Sequence, residues 1–280
     1  MGSATGRAPV GQNGLGWYVY GVVDAGEAQR ELAPPTSVEP AHRVTLVREG
    51  TLAAVASKVP LEVFTEEGLR ETLSDPAWLE PRIRAHEQVL EAALAVTSVV
   101  PFRFCTLFRS DDALRAFLGE RRNELREALR SVEGKIEIGV KGFLSGDRFA
   151  ESFAERDEAA RGLRERAASA QGGRAYLERR RLEQLLAREV ERFKADAAHD
   201  IHNRLLASAN HGVLNPTQSR EVSGREDEMF MNAAYLVDRG QAFEPEVEAL
   251  ASEYQERGVT LERTGPWPPY NFVPRALVEA

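Results

Sequence analysis

A single cysteine in 280 residues leaves no partner for an internal disulfide and too few thiolates for a structural zinc site. A reducing, cytoplasmic setting suits such a chain. Long apolar runs are also missing. The longest uncharged, strongly apolar stretch, Ala92 to Phe102, falls well short of the ~20 residues that span a bilayer, so no membrane association is expected. Residues 1–16 are rich in Gly, Ala and Ser but lack the apolar core of a signal peptide, and they read as a flexible tail. There is no excess of positive charge: 36 Lys plus Arg face 44 Asp plus Glu, for a net charge of −8. Neutralising a phosphate backbone takes a concentrated basic surface, so nucleic acid is not an expected partner. Nor is there a phosphate loop. Gly172-Gly173 lacks a following Lys-Ser/Thr, and the glycines from Gly11 to Gly16 precede a strand, not a helix.

What is present suggests an α+β protein of two domains. In the first, residues 17–132, Trp17-Tyr-Val-Tyr-Gly-Val-Val23 has the aromatic and β-branched residues of a strand. Two apolar runs then flank Glu49-Gly50, which signals a hairpin. Apolar residues at helical spacing from Leu79 to Leu94 predict a helix over 79–97 with Pro81 in its first turn. Val99 to Phe108 reads as one strand. Ser110 then caps a helix that starts with Asp111 and Asp112 and carries Leu114, Phe117, Leu118, Leu125 and Leu129. The order βββαβα predicts an antiparallel sheet with helices on one face.

The second domain, residues 133–263, opens with Ile136, Ile138 and Val140 alternating with polar neighbours. A charged but nearly neutral segment, 147–198, predicts solvated helices broken at Gly172-Gly173, the second with a stripe from Leu182 to Phe193. Glu228 to Val237 reads as a buried strand, Pro245 begins a helix that Gly258 ends, and Val259 to Arg263 is a last strand. The pattern is split-βαβ, enlarged by a long helical insertion. Residues 264–280 form an extended tail rich in proline and aromatics.

That tail contains Thr264-Gly-Pro-Trp-Pro-Pro-Tyr-Asn-Phe-Val273, which strongly resembles the C-terminal signature of the gas vesicle protein F/L family (GvpL/GvpF). Further strings fall in that family's order: Tyr18-Val-Tyr-Gly21, Leu52-Ala-Ala-Val55, His86-Glu-Gln-Val-Leu90, Pro101-Phe-Arg-Phe104, Lys135 to Lys141, Gly173-Arg-Ala-Tyr-Leu177 with Tyr176, and Ala234-Tyr-Leu-Val-Asp238. One departure is Cys105, where the family usually has glycine after Arg-Phe. The resemblance implies a modified ferredoxin-like N-terminal domain and a non-enzymatic role in assembling gas vesicles in the cytoplasm. It implies as partners the major gas vesicle shell protein and other accessory gas vesicle proteins, and no cofactor.

The candidate sites are read mainly as structural. His86, at helical spacing with Ile83 and Leu90, is expected as a hydrogen-bonded core residue and not a general base. His199 and His202 supply two ligands from one helical turn where zinc wants three or four, so a surface pair is expected. Cys105 has no base beside it in its strand and reads as core. Glu137 and Lys141 share a strand face, as an ion pair or a solvated edge. The terminal signature is expected to clasp the second domain's core, with Trp267 buried and Tyr270, Asn271 and Phe272 partly presented for recognition. The rival reading is a small-molecule-binding or enzymatic protein built on tandem ferredoxin-like domains.

Overall fold

The computed structural model describes residues 14–26, 36–64, 72 and 74–278. Its contacts divide the chain into a first unit, Met1–Gly134 with Pro268–Ala280, and a second, Lys135–Trp267. The predicted tail 1–16 lies almost wholly outside the described residues.

In the first unit, β1 (Leu15–Asp24) pairs antiparallel with β3 (Leu52–Pro60), which pairs with β2 (Val44–Glu49). The β2–β3 hairpin turns at Gly50, whose φ of +60° is the left-handed region that glycine enters without strain. On its other side β1 pairs with β4 (Val99–Pro101) and β5 (Leu107–Phe108), so the main sheet runs β2-β3-β1-β4. The single strand predicted over 99–108 is thus two short ones. Cys105 takes φ +67° between them and breaks the extended chain.

Helix α1 spans Pro76–Val96. Asp75 caps it by accepting from the Ala77 N–H at 3.0 Å, and Pro76 takes the early position expected for Pro81, which instead lies inside the helix. Ser110 accepts from the Ala113 N–H at the start of α2 (Asp111–Glu120), and α3 (Arg122–Ser131) follows after a break at Arg121.

Helices cover both faces of this sheet, where one was expected. Val19 and Val22 of β1 pack with Leu114, Leu118 and Leu125 of α2 and α3, while the neighbouring Tyr18 points the opposite way, to His86 on α1. The cause is visible in β1 itself, which is buried continuously from Tyr18 to Val23 and so needs cover on either side. The end of the chain adds Val273, Leu277 and Val278 to the core with Val19 and Leu114. The signature expected to clasp the second unit is therefore divided: Thr264 to Trp267 stay in the second unit, and the residues from Pro268 on join the first. Their apolar side chains find a partly built core there.

In the second unit the sheet runs β7-β8-β6-β9, from β6 (Lys135–Leu144), β7 (His211–Leu214), β8 (Glu228–Asp238) and β9 (Val259–Trp267), all antiparallel. Between β6 and β7 come α4 (Gly146–Arg156), α5 (Glu158–Ser169) and α6 (Gly172–Ala207); α7 (Glu244–Gln255) precedes β9. The charged segment breaks at Asp157 as well as near Gly172, and Asp157 caps α5 by accepting from the Ala160 N–H. Ala197, Ile201 and Leu205, four apart on α6, join Val247, Leu250 and Tyr254 of α7 over Ile138, Val140, Met231 and Tyr235. No helix among the described residues is long and apolar enough to cross a membrane.

Candidate functional site

A buried polar cluster of the first unit lies between β1 and α1. Strand alternation sends Tyr18 and Tyr20 to the same side, where Tyr20 Oη meets Ser57 Oγ at 2.9 Å and accepts from the Val38 N–H at 3.0 Å. His86, only 1% exposed, bridges two tyrosines: Nδ1 is 2.8 Å from Tyr18 Oη and Nε2 is 3.2 Å from Tyr270 Oη. Tyr270 in turn donates to Glu87 Oε1 at 3.2 Å. With its proton on Glu87, the Tyr270 oxygen accepts from His86 Nε2–H, which leaves Nδ1 to accept from the Tyr18 hydroxyl. The Tyr18 oxygen then accepts the Cys105 N–H at 3.1 Å. At the end of this relay, Cys105–Tyr18–His86–Tyr270–Glu87, the Glu87 Oε2 oxygen is buried without a hydrogen-bond partner among the described residues.

Burial sets the charges here. It pulls the His86 imidazole down to about 4, so the ring is neutral near pH 7, and it pushes the Glu87 carboxyl up from the usual carboxylate range. Burial likewise pushes the Cys105 thiol up to about 12, which keeps it protonated and unreactive. Both nitrogens of His86 are engaged by tyrosine hydroxyls. The arrangement ties residues 270–272 to α1.

The other candidates fall elsewhere. Phe272 packs half-buried against the first core, and Asn271 is exposed. Trp267 ends β9 opposite Glu137 in register; it is half-buried where full burial was expected, and its Nε1 donates to Thr264 Oγ1 at 3.1 Å. Glu137 is 5% exposed and β6 lies between β8 and β9, so it forms no solvated edge. Lys141 Nζ lies 3.5 Å from Gln218 Oε1. Tyr176 is 62% exposed on α6. His202 pairs with Tyr235 Oη at 2.9 Å and His199 with Asn203, and no cluster of three metal-ligating side chains occurs among the described residues.

Sequence reasoning placed His86 and Tyr270 in separate domains and missed Tyr18 and Glu87 as their partners. One signal pointed there: cysteine in a slot where glycine is usual. The slot's left-handed backbone aims the residue-105 N–H at Tyr18.

The strings that suggested a family span the whole of both units, and a family model described as Gas vesicle synthesis protein GvpL/GvpF matches residues 16–274. The chain belongs to this family. Gas vesicle protein L of Streptomyces sp. (strain CB03234) is 36% identical over 230 residues, 81% of this chain and 82% of that one. Gas vesicle protein F1 of Halobacterium salinarum is 26% identical over 261 residues, covering 91% and 92% of the two chains. The crystal structure of GvpF from Anabaena sp. PCC7120 superposes with a TM-score of 0.68 at 18% identity, over 92% of this chain and 97% of that one, which shows a shared fold. GvpL/GvpF proteins act in gas vesicle formation and are not known as enzymes.

Proposed function

We propose that this GvpL/GvpF protein is a non-enzymatic assembly factor that binds the gas vesicle shell protein and accessory gas vesicle proteins during vesicle formation in the cytoplasm. The observation that carries this reading is the buried relay around His86. His86 and the tyrosines around it are spent on internal hydrogen bonds, which favours a role carried by surfaces. The surface this reading favours is β9. Among the described residues it pairs with β6 alone, and a nine-residue last strand is a template for strand addition. The Leu182–Phe193 stripe is a weaker candidate for a hydrophobic partner helix, because Val190 and Phe193 already pack on the second unit's core. Both units are read as variants of one ferredoxin-like plan, on the strength of their common strand order.

The test is co-purification of the tagged full chain with each product of a gas vesicle gene cluster, alongside Trp267→Ala, which alters the end of β9. Retention of the shell protein or an accessory protein, reduced at least ~10-fold by the substitution at unchanged Tm, supports recognition at β9. Retention of no partner by the folded wild-type chain overturns the reading in favour of a ligand-binding role, to be followed by thermal shift with nucleotides and metals.

A further inference from the structure

The first turns of α6 are built inside out. Toward α5 the helix buries Ala175 and a carboxylate, Glu178, which is 6% exposed and held by Arg166 at 3.4 Å and Arg181 at 3.2 Å. On the outer side it leaves Tyr176 62% and Leu177 56% exposed. Ordinary amphipathic packing would turn the tyrosine and leucine inward and the glutamate out. Helical spacing carries the outer face on from Tyr176 through Arg180, Gln184 and Ala187, at i+4, i+8 and i+11, so the face is a continuous stripe.

The charge around this stripe is also out of character. From Glu158 to Leu182 there are seven arginines against three glutamates, in a chain whose net charge is −8. Arg174, Arg179 and Arg180, which flank the two apolar side chains, have no ion-pair or hydrogen-bond partner for their guanidinium groups among the described residues. Exposed tyrosine and leucine ringed by uncompensated arginines ask for an apolar ridge edged with carboxylates.

We infer that the outer face of α6 around Tyr176, Leu177, Arg179 and Arg180 docks an acidic amphipathic helix of a partner protein. The partner helix lies along α6, with its leucines on Tyr176 and Leu177 and its carboxylates on the arginines. A polyphosphate fits this face less well, because Glu183 interrupts the positive charge. This surface is separate from β9 and does not depend on strand addition there.

The experiment uses the full chain and a fluorescein-labelled synthetic peptide with the repeat Glu-Leu-Glu-Glu-Leu-Leu-Glu, read by anisotropy. Controls are a peptide of the same composition with leucines spread round the helix, and a single-stranded oligonucleotide. The expected result is saturable binding of the amphipathic peptide, weakened at least ~10-fold by Tyr176→Ser with Leu177→Ser, and equally by Arg179→Glu with Arg180→Glu. All four positions are exposed, so both double variants keep the wild-type Tm. Wild-type affinity in either folded variant overturns the inference, as does no peptide binding by the wild type. Tighter binding of the scrambled peptide or the oligonucleotide also overturns it, and reassigns the face to polyanions.

Discussion

The two units share one strand order and use it in opposite ways. Counting strands within each unit, both sheets run second, third, first, fourth, with antiparallel pairing throughout. The first unit encloses its sheet: α1 covers one face, α2 and α3 the other, and the end of the chain completes the core. The second puts its longest connection between its first two strands and uses it for a helical arm, docking only the later part of α6 on the sheet. A common sheet plan thus serves a core covered on both faces in one case and a long helical insertion in the other. The connections decide which.

Removing residues 268–280 is the most severe way to break this contrast. It takes Val273, Leu277 and Val278 out of the first core and deletes Tyr270, for an expected loss on the order of 5 kcal/mol in that unit. Hydrogen exchange should then report opening of β1 while β8 stays protected. Equal loss of protection in both strands would count against the assignment of this segment to the first unit.

His86→Ala is next. It strands the hydroxyls of Tyr18 and Tyr270, at a cost of roughly 3 kcal/mol by urea denaturation. The same ring predicts a pH dependence. Its folded pKa of about 4 lies below the ordinary 6.5, so the unfolded chain binds the proton more readily. The stabilising contribution of neutral His86 is therefore complete above 6.5 and drains away as pH falls toward 4, by up to about 3 kcal/mol. His86→Gln keeps two hydrogen-bonding groups without titrating and should flatten that window. An unchanged slope in this variant would place the acid sensitivity elsewhere.

The arm should be softer. Glu178→Ala removes the carboxylate shared by Arg166 and Arg181, which are themselves largely exposed, and is expected to cost about 1 kcal/mol. Exchange should rise in α5 and the start of α6 without change in β1. The smallest effect is of opposite sign. Cys105→Gly relieves a left-handed side chain and should raise the stability of the first unit by about 0.5–1 kcal/mol, visible as a small increase in Tm.

Local chemistry made much of this molecule readable. The aromatic and β-branched run of β1, the turn at Gly50, the Ser110 cap followed by Asp111 and Asp112, and the apolar run of β8 all appear where nearest-neighbour patterns put them. Where two local signals compete, the sequence is ambiguous. Pro81 carries an early-helix signal, but Asp75 and Pro76 hold that role, and the strand-rich composition of 99–108 conceals the break at Cys105. His86 was readable as a core residue from its helix spacing; its partners were not. Tyr270 is 184 positions away, and no periodicity links the two.

By itself the sequence determined most kinds of element, the Ser110 cap, the turn at Gly50 and the GvpL/GvpF family, because these rest on neighbouring residues and on strings that can be read in order. Only the tertiary structure decided that β6 is central and hides Glu137, that the last residues serve the first unit, and that Tyr176 faces outward while Glu178 is buried. The physical reason is common to all three. Burial belongs to a side chain's surroundings, and those surroundings are set by strand order and helix docking between residues far apart in the chain.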